Sequence, residues 1–262
     1  MNDFLSRIIT QKRAEVAAIQ ERTSEDQLRK AAMKPRALRP FFGRLKEPGL
    51  TGINIIAEIK RASPSKGPIR PDLDPADFAV KYEKGGAAAL SVLTDHVHFG
   101  GSFEDLRTAK AAVDLPVLRK DFIVSSYQLY ESAVIGADAV LLIVKALAPD
   151  QLSSYLGLAR ELHLDVLVEV HSEEELDIAG EAEARLIGIN NRNLNSFDTD
   201  IDTAVRMAEK LSSDQVAVAE SGIASKADID RLRSAGFHNF LIGESIVRSE
   251  NPEAFIRTLL EE

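Results

Sequence analysis

The sequence contains no cysteine. That absence excludes disulfides, thiolate zinc sites and a cysteine nucleophile, and makes a disulfide-stapled secreted fold untenable. Long apolar runs are missing too. The opening MNDFLSRIITQKRAEV is amphipathic and charged rather than a signal-type apolar segment, and no later stretch approaches the ~20 residues of a membrane span. The expected compartment is the cytoplasm. Basic residues are outnumbered, with 32 Lys and Arg against 41 Asp and Glu and a formal net charge of -9. Nucleic acid and anionic membranes, which call for a broad basic face, are therefore not expected partners. A small anionic substrate remains compatible, because a few clustered cations can set a local field against the global sign. With 45% hydrophobic and 28% charged residues, the 262-residue chain reads as an ordinary globular protein. It is expected to form one domain over residues 1–262, with a monomer as the expected state.

From residue 53 onward one theme repeats: a short β-branched or Leu-rich run, a polar loop, then a helix-patterned segment. Eight runs qualify: 53–60 (INIIAEIK), 88–94 (AALSVLT), 116–122 (PVLRKDF), 139–145 (AVLLIVK), 165–170 (DVLVEV), 186–192 (LIGINNR), 215–222 (QVAVAESG) and 239–244 (NFLIGE). Near-continuous apolar character fits parallel strands buried on both faces, and the helical segments supply their crossovers. Helix starts agree independently. Asp74 precedes Pro75 as an N-cap, and Ser102/Asp105, Ser125/Gln128, Ser172/Glu175 and Ser225/Asp228 have capping-box spacing. The predicted class is α/β, a (β/α)₈ TIM barrel over 53–262 with an N-terminal helical extension over 1–50; an open doubly wound sheet is the alternative. In the extension, Phe4, Leu5, Ile8, Ile9, Val16 and Ile19 sit at helix spacing. Spacing leaves open whether that helix plugs the barrel, covers an edge or closes over a substrate.

Barrel chemistry sits at the C-terminal ends of the strands, so polar residues that end apolar runs are the ones to question. Glu58 and Lys60 share a face at the end of the first run. Lys120 ends the third, Lys145 the fourth, Glu169 the fifth, Asn190 and Arg192 the sixth, and Glu220 the seventh. Singly, each reads as a rim charge with a neighbour. Together they converge lysines and carboxylates on one mouth, an expensive arrangement unless it binds and transforms something. AESGIAS after the seventh run and IGES after the eighth are short glycine turns feeding helix N-termini, which suit a phosphate. Asp95, His96 and His98 have no metal-ligand spacing and read as a solvated loop, and His171 reads as a surface residue at a helix start.

The segments AEIKRASPSKG, LSVLTD with Phe99-x-Gly-Ser102, LRKDFIV, LLIVKAL, VEV, IGINNRNL, AESGI and LIGES resemble the indole-3-glycerol phosphate synthase family in order and spacing. The resemblance spans the whole barrel and includes the extension, without a fused isomerase or amidotransferase. His98 departs from it, standing where many members carry an aromatic beside Phe99. The resemblance implies conversion of 1-(2-carboxyphenylamino)-1-deoxyribulose 5-phosphate into indole-3-glycerol phosphate, carbon dioxide and water. No metal or organic cofactor is implied. Lys120 matches the general acid of ring closure and Glu169 the acid/base of dehydration. Lys60 matches the contact to the substrate carboxylate and is counted among the phosphate contacts. Glu58 and Asn190, with Arg192 and Glu220, would orient and tune these groups. Ser63 would secure the carboxylate end, and Phe99, Leu141 and Ile143 would pack on the ring. Ser221, Gly222, Gly243 and Glu244 map onto the phosphate cradle, Glu244 through its backbone N–H. Rival readings are an aldolase with Lys145 or Lys120 as a Schiff-base nucleophile, and a catalytically silent barrel that binds a phosphorylated metabolite.

Overall fold

In the computed structural model, which describes residues 4–194 and 196–261, the eight apolar runs fold as parallel strands. They are β1 (Asn54–Ile59), β2 (Ala89–Leu93), β3 (Val117–Lys120), β4 (Ala139–Ile143), β5 (Asp165–Val170), β6 (Leu186–Asn190), β7 (Val216–Glu220) and β8 (Asn239–Ile242). Each pairs with its sequence neighbours, and β1 closes on β8 from Asn54 opposite Asn239 to Ala57 opposite Ile242. The sheet is a closed barrel, not the open alternative. The extension holds α1 (Phe4–Gln20), α2 (Glu25–Ala32) and α3 (Phe41–Leu45). The barrel helices are α4 (Pro75–Gly85), α5 (His96–Phe99), α6 (Phe103–Ala112), α7 (Ser126–Ile135), α8 (Pro149–Glu161), α9 (Glu173–Glu181), α10 (Asp202–Ala208), α11 (Lys226–Ser234), α12 (Glu244–Arg248) and α13 (Pro252–Leu260).

Strand alternation divides the core into two layers. Ile56, Leu118, Leu141, Leu167, Val218 and Leu241 point inward and pack with one another. Their neighbours Ile55, Ala57, Val140, Leu142 and Val168 point outward, against the helices. This parity positions the site. Counting on by two from the inward set reaches Glu58, Lys120, Ile143, Glu169, Glu220 and Gly243, so the charged ends of the strands inherit the inward direction.

The helix starts follow the hydroxyl and carboxylate signals, with one consistent difference. Asp74 accepts from the Ala76 and Asp77 N–H groups, and Ser102, Ser125, Ser172 and Ser225 each accept from a first-turn N–H. Of those four spacings only Ser225/Asp228 is a reciprocal box. Gln128 instead bonds the Val124 N–H and Phe122 carbonyl, and Glu175 reaches the His171 N–H, each with a partner nearer the mouth.

The extension both plugs and covers. Phe41 and Leu45 of α3 are fully buried with the inward layer, where the Phe42 N–H donates to Asp165 at the start of β5. Burying two such side chains contributes roughly 1.5–3 kcal/mol each. Helix α2 packs on α7, and α1 lies over the opposite end, the mouth.

Candidate active site

The mouth encloses a cavity of about 720 Å³. All fifteen sequence-predicted site residues line it: Glu58, Lys60, Ser63, Phe99, Lys120, Leu141, Ile143, Glu169, Asn190, Arg192, Glu220, Ser221, Gly222, Gly243 and Glu244. Lys145, expected with them at the end of β4, is not among its walls. The strand stops at Ile143, and a 3₁₀ turn over Val144–Ala146 breaks the inward parity and leaves Lys145 exposed.

At the centre, Lys120 Nζ lies 3.0 Å from Glu169 Oε2 and 3.3 Å from Glu220 Oε2, while Lys60 Nζ lies 2.7 Å from Glu58 Oε1. Glu58, Glu169 and Glu220 are all buried. Burial alone would favour a neutral Lys120, but the carboxylates of Glu169, Glu220 and Glu58 outweigh it and hold the ammonium well above the ordinary lysine range. The two carboxyls beside it behave oppositely. Burial pushes Glu220 up to about 8, with the Glu169 charge adding to that rise and Lys120 opposing it. Glu169 is held far below the usual carboxylate range because Lys120 and His171 overcome its burial. The two carboxyls share one ammonium and titrate as a pair, with the rise falling on Glu220 and the fall on Glu169, a divergence that suits proton transfer. Glu220 Oε1 is buried without a hydrogen-bond partner among the described residues.

Two glycines make room for these charges. A Cβ on Gly188 of β6 would lie 2.1 Å from Glu220 Oε1, and one on Gly243 would lie 2.3 Å from Glu58 Oε1 and 2.9 Å from Lys60 Nζ. Around the rim, Asn190 Oδ1 accepts from the Arg192 N–H, and the Arg192 guanidinium donates to Ser65 Oγ and to the Phe197 carbonyl. Ser63 Oγ sits 3.4 Å from Ser65 Oγ in the Ala62–Ser63/Gly67–Pro68 hairpin. On the β7 and β8 side, Ser221 and Gly222 adopt left-handed backbone (φ 67° and 77°). The side chain of Glu244 turns to Arg248 (3.1 Å) and Arg192 (4.0 Å).

Several lining residues escaped the sequence reading. Phe4, Leu5 and Ile8 bring α1 into the cavity wall, and Lys66 and Arg248 add cations on the rim. The signal for α1 was its apolar stripe; no spacing says which barrel end it covers. What fixes it is Lys12, buried on α1, whose ammonium meets Asp95 at 2.7 Å and Asp121 at 3.2 Å. Asp121 in turn binds Arg119, Thr94 and the Phe122 N–H. Asp95 is thus fully buried, caps α5 through the His98 N–H and pairs with Lys12, so the solvated-loop expectation fails for it. Among the described residues no group of three His, Asp or Glu is arranged to hold a metal ion. The expectation for His171 fails as well: its ring is mostly buried between Glu169 and Glu175.

Comparison with known proteins bears on the same residues. The sequence profile of the family described as indole-3-glycerol phosphate synthase matches residues 5–259. A relative with that description from Syntrophobacter fumaroxidans is 54% identical over 259 residues, covering 99% of this chain and 98% of the relative. Another, from Desulfosudis oleivorans, is 53% identical over 261 residues and is covered to 99%, as is this chain. Among solved structures, 3-hexulose-6-phosphate synthase from Salmonella typhimurium aligns with a TM-score of 0.65 at 15% identity, over 79% of this chain and 97% of that one. Thiamine phosphate pyrophosphorylase from Pyrococcus furiosus aligns with a TM-score of 0.62 at 15% identity, over 82% and 95%. At such identity these two likenesses concern the barrel alone. No helix among the described residues is long and apolar enough to cross a membrane.

Proposed function

The chain belongs to the indole-3-glycerol phosphate synthase family, and we propose how the residues of its mouth divide that family's reaction. The reaction is a decarboxylating ring closure of tryptophan biosynthesis that turns 1-(2-carboxyphenylamino)-1-deoxyribulose 5-phosphate into indole-3-glycerol phosphate, carbon dioxide and water. Lys120 is the general acid of ring closure. Its resting acidity is low, but the ketone oxygen becomes strongly basic as the aromatic carbon attacks, so proton transfer becomes favourable as the bond forms. Glu169, ionised at rest, takes the ring proton in dehydration, and Glu220, protonated at rest, supplies a proton beside it. Lys60, held by Glu58, meets the substrate carboxylate until it leaves as carbon dioxide. Ser63 and Arg192 orient that end, and Asn190 positions Arg192. Phe99, Leu141 and Ile143 pack on the ring, and the backbone of Ser221, Gly222, Gly243 and Glu244, with Lys60 at its edge, receives the phosphate.

The observation that supports this division most is Lys120 lying 3.0 Å from Glu169 and 3.3 Å from Glu220, two buried carboxyls whose acidities are pushed in opposite directions. It also speaks against the aldolase reading. A Schiff-base lysine must be neutral to attack, whereas Lys120 is held charged and Lys145 is exposed outside the cavity. The remaining proposals are a single domain over residues 1–262, the cytoplasm as compartment, no nucleic-acid partner and a monomeric state. They are supported by one closed barrel, the acidic balance and the small-molecule cavity.

Incubation with the carboxyphenylamino deoxyribulose phosphate should generate indole fluorescence, undiminished by a chelator, because the charges developed in ring closure are met by Lys120 and Lys60. Loss of turnover in chelator, restored by a divalent cation, would overturn the cofactor-free reading. Borohydride added during turnover should leave no lysine-linked adduct by intact mass; an adduct on Lys120 or Lys145 would transfer support to aldolase chemistry.

A further inference from the structure

Glu169 is the only carboxylate of the central trio with an imidazole behind it. His171 follows the last residue of β5, and its ring reaches back to Glu169. Its Nε2 lies 3.3 Å from Glu169 Oε1, off the line of a hydrogen bond, while Lys120 occupies Oε2 of the same carboxylate. From the far side, Glu175, in the first turn of α9, holds His171 at two points. Its Oε2 accepts from the His171 backbone N–H at 2.8 Å and lies 3.2 Å from ring Nδ1. With a carboxylate at each nitrogen, only the doubly protonated ring presents a donor to both. None of the roles above uses this residue.

We propose that His171 is a positioning residue for the reaction: clamped by Glu175, its cationic ring fixes Glu169 Oε1 so that Oε2 stays directed at Lys120 and the substrate. This rests on the reading of Glu169 as the acid/base. The charged groups facing the ring are Glu169 on β5 and Glu175 on α9; Lys120 on β3 and Glu220 on β7 stand beyond Glu169. Burial opposes the charge, but both facing carboxylates outweigh it and raise the imidazole to about 9, so the ring carries its charge at neutral pH. The same charge helps keep Glu169 ionised.

Steady-state kinetics of His171→Leu, alone and in a Glu169→Gln background, test this. His171→Leu should lower kcat by roughly ten- to a hundredfold, the scale for a reacting group misplaced by up to an ångström, with KM within about twofold. Its acidic kcat limb should move up by about one pH unit or more, because Glu169 loses an adjacent cation. His171→Gln, which keeps an amide nitrogen near the Nε2 position, should recover much of kcat without restoring the acidic limb. In the Glu169→Gln background, His171→Leu should add no further loss. An unshifted acidic limb, or an undiminished additional loss in that background, would overturn the positioning role. Wild-type kcat in Glu169→Gln alone would instead overturn the acid/base reading beneath it, so the two failures are distinguishable.

Discussion

Lys120 and the two carboxyls beside it form a unit whose protonation is set by mutual charge and burial, so removing the lysine should affect chemistry more than binding. Lys120→Met is expected to lower kcat by roughly 10²- to 10⁴-fold with a small change in KM. Near-normal kcat in a single-turnover assay would reject Lys120 as the general acid. Gly188 gives a sharper test of the packing. In Gly188→Ala the new methyl and Glu220 Oε1 compete for one position, so the variant should lose roughly 1–3 kcal/mol in urea unfolding and lose kcat as well. Gly180→Ala on α9, where a Cβ meets nothing within 4 Å, is the matched control and should be neutral or slightly stabilising. Equal stability of the two alanine variants would show that Glu220 moves aside without cost.

At the scale of elements, α1 is fastened to the mouth by buried Leu5, Ile8 and Val16 and by one buried ammonium. Lys12→Met removes the cation that Asp95 Oδ2 and Asp121 share, leaving Asp95 Oδ2 buried and uncompensated. The expected cost is about 3–5 kcal/mol, with faster proteolysis within residues 4–20 and a higher KM as Phe4, Leu5 and Ile8 leave the cavity wall. Unchanged KM with an undocked helix would assign α1 a purely structural part. The same helix marks where sequence reading ran out. The strands could be read because their apolar runs and inward parity are local, and parity carries Glu58, Lys120, Glu169 and Glu220 to one place once the barrel closes. Lys145 defeated that reasoning because a 3₁₀ turn resets the direction of the chain, which an apolar pattern does not record. Lys12, Asp95 and His171 defeated it differently: each looks like an ordinary surface charge or helix-start residue until its long-range partner is known.

For the molecule as a whole, these buried groups tie stability to pH. His171 rises from 6.5 to about 9 on folding, so its contribution is fully present below 6.5 and is lost as pH climbs through about 9. Glu220 rises from 4.5 to about 8, so the folded protein holds a proton that the unfolded chain has released, and stability falls as pH rises across that interval. Both effects act in one direction between pH 6.5 and 8. Glu169, held low, contributes stability that is lost only in acid. The melting temperature should therefore decline from pH 6.5 to 9, and Glu220→Gln should flatten part of that decline. A flat wild-type profile would contradict the protonated state assigned to Glu220.

The register between β1 and β8 has a further consequence for the order in which the enzyme is made. Glu58 and Lys60 emerge early in synthesis, whereas Gly243, whose missing side chain gives them room, belongs to the last stretch of the barrel to emerge. The first and last strands meet at a seam that holds the lysine–glutamate pair on one side and the Gly243 turn on the other. Until β8 pairs with β1, the Glu58–Lys60 pair lacks the wall that Gly243 forms. The mouth is thus complete only once the last strand has closed the barrel.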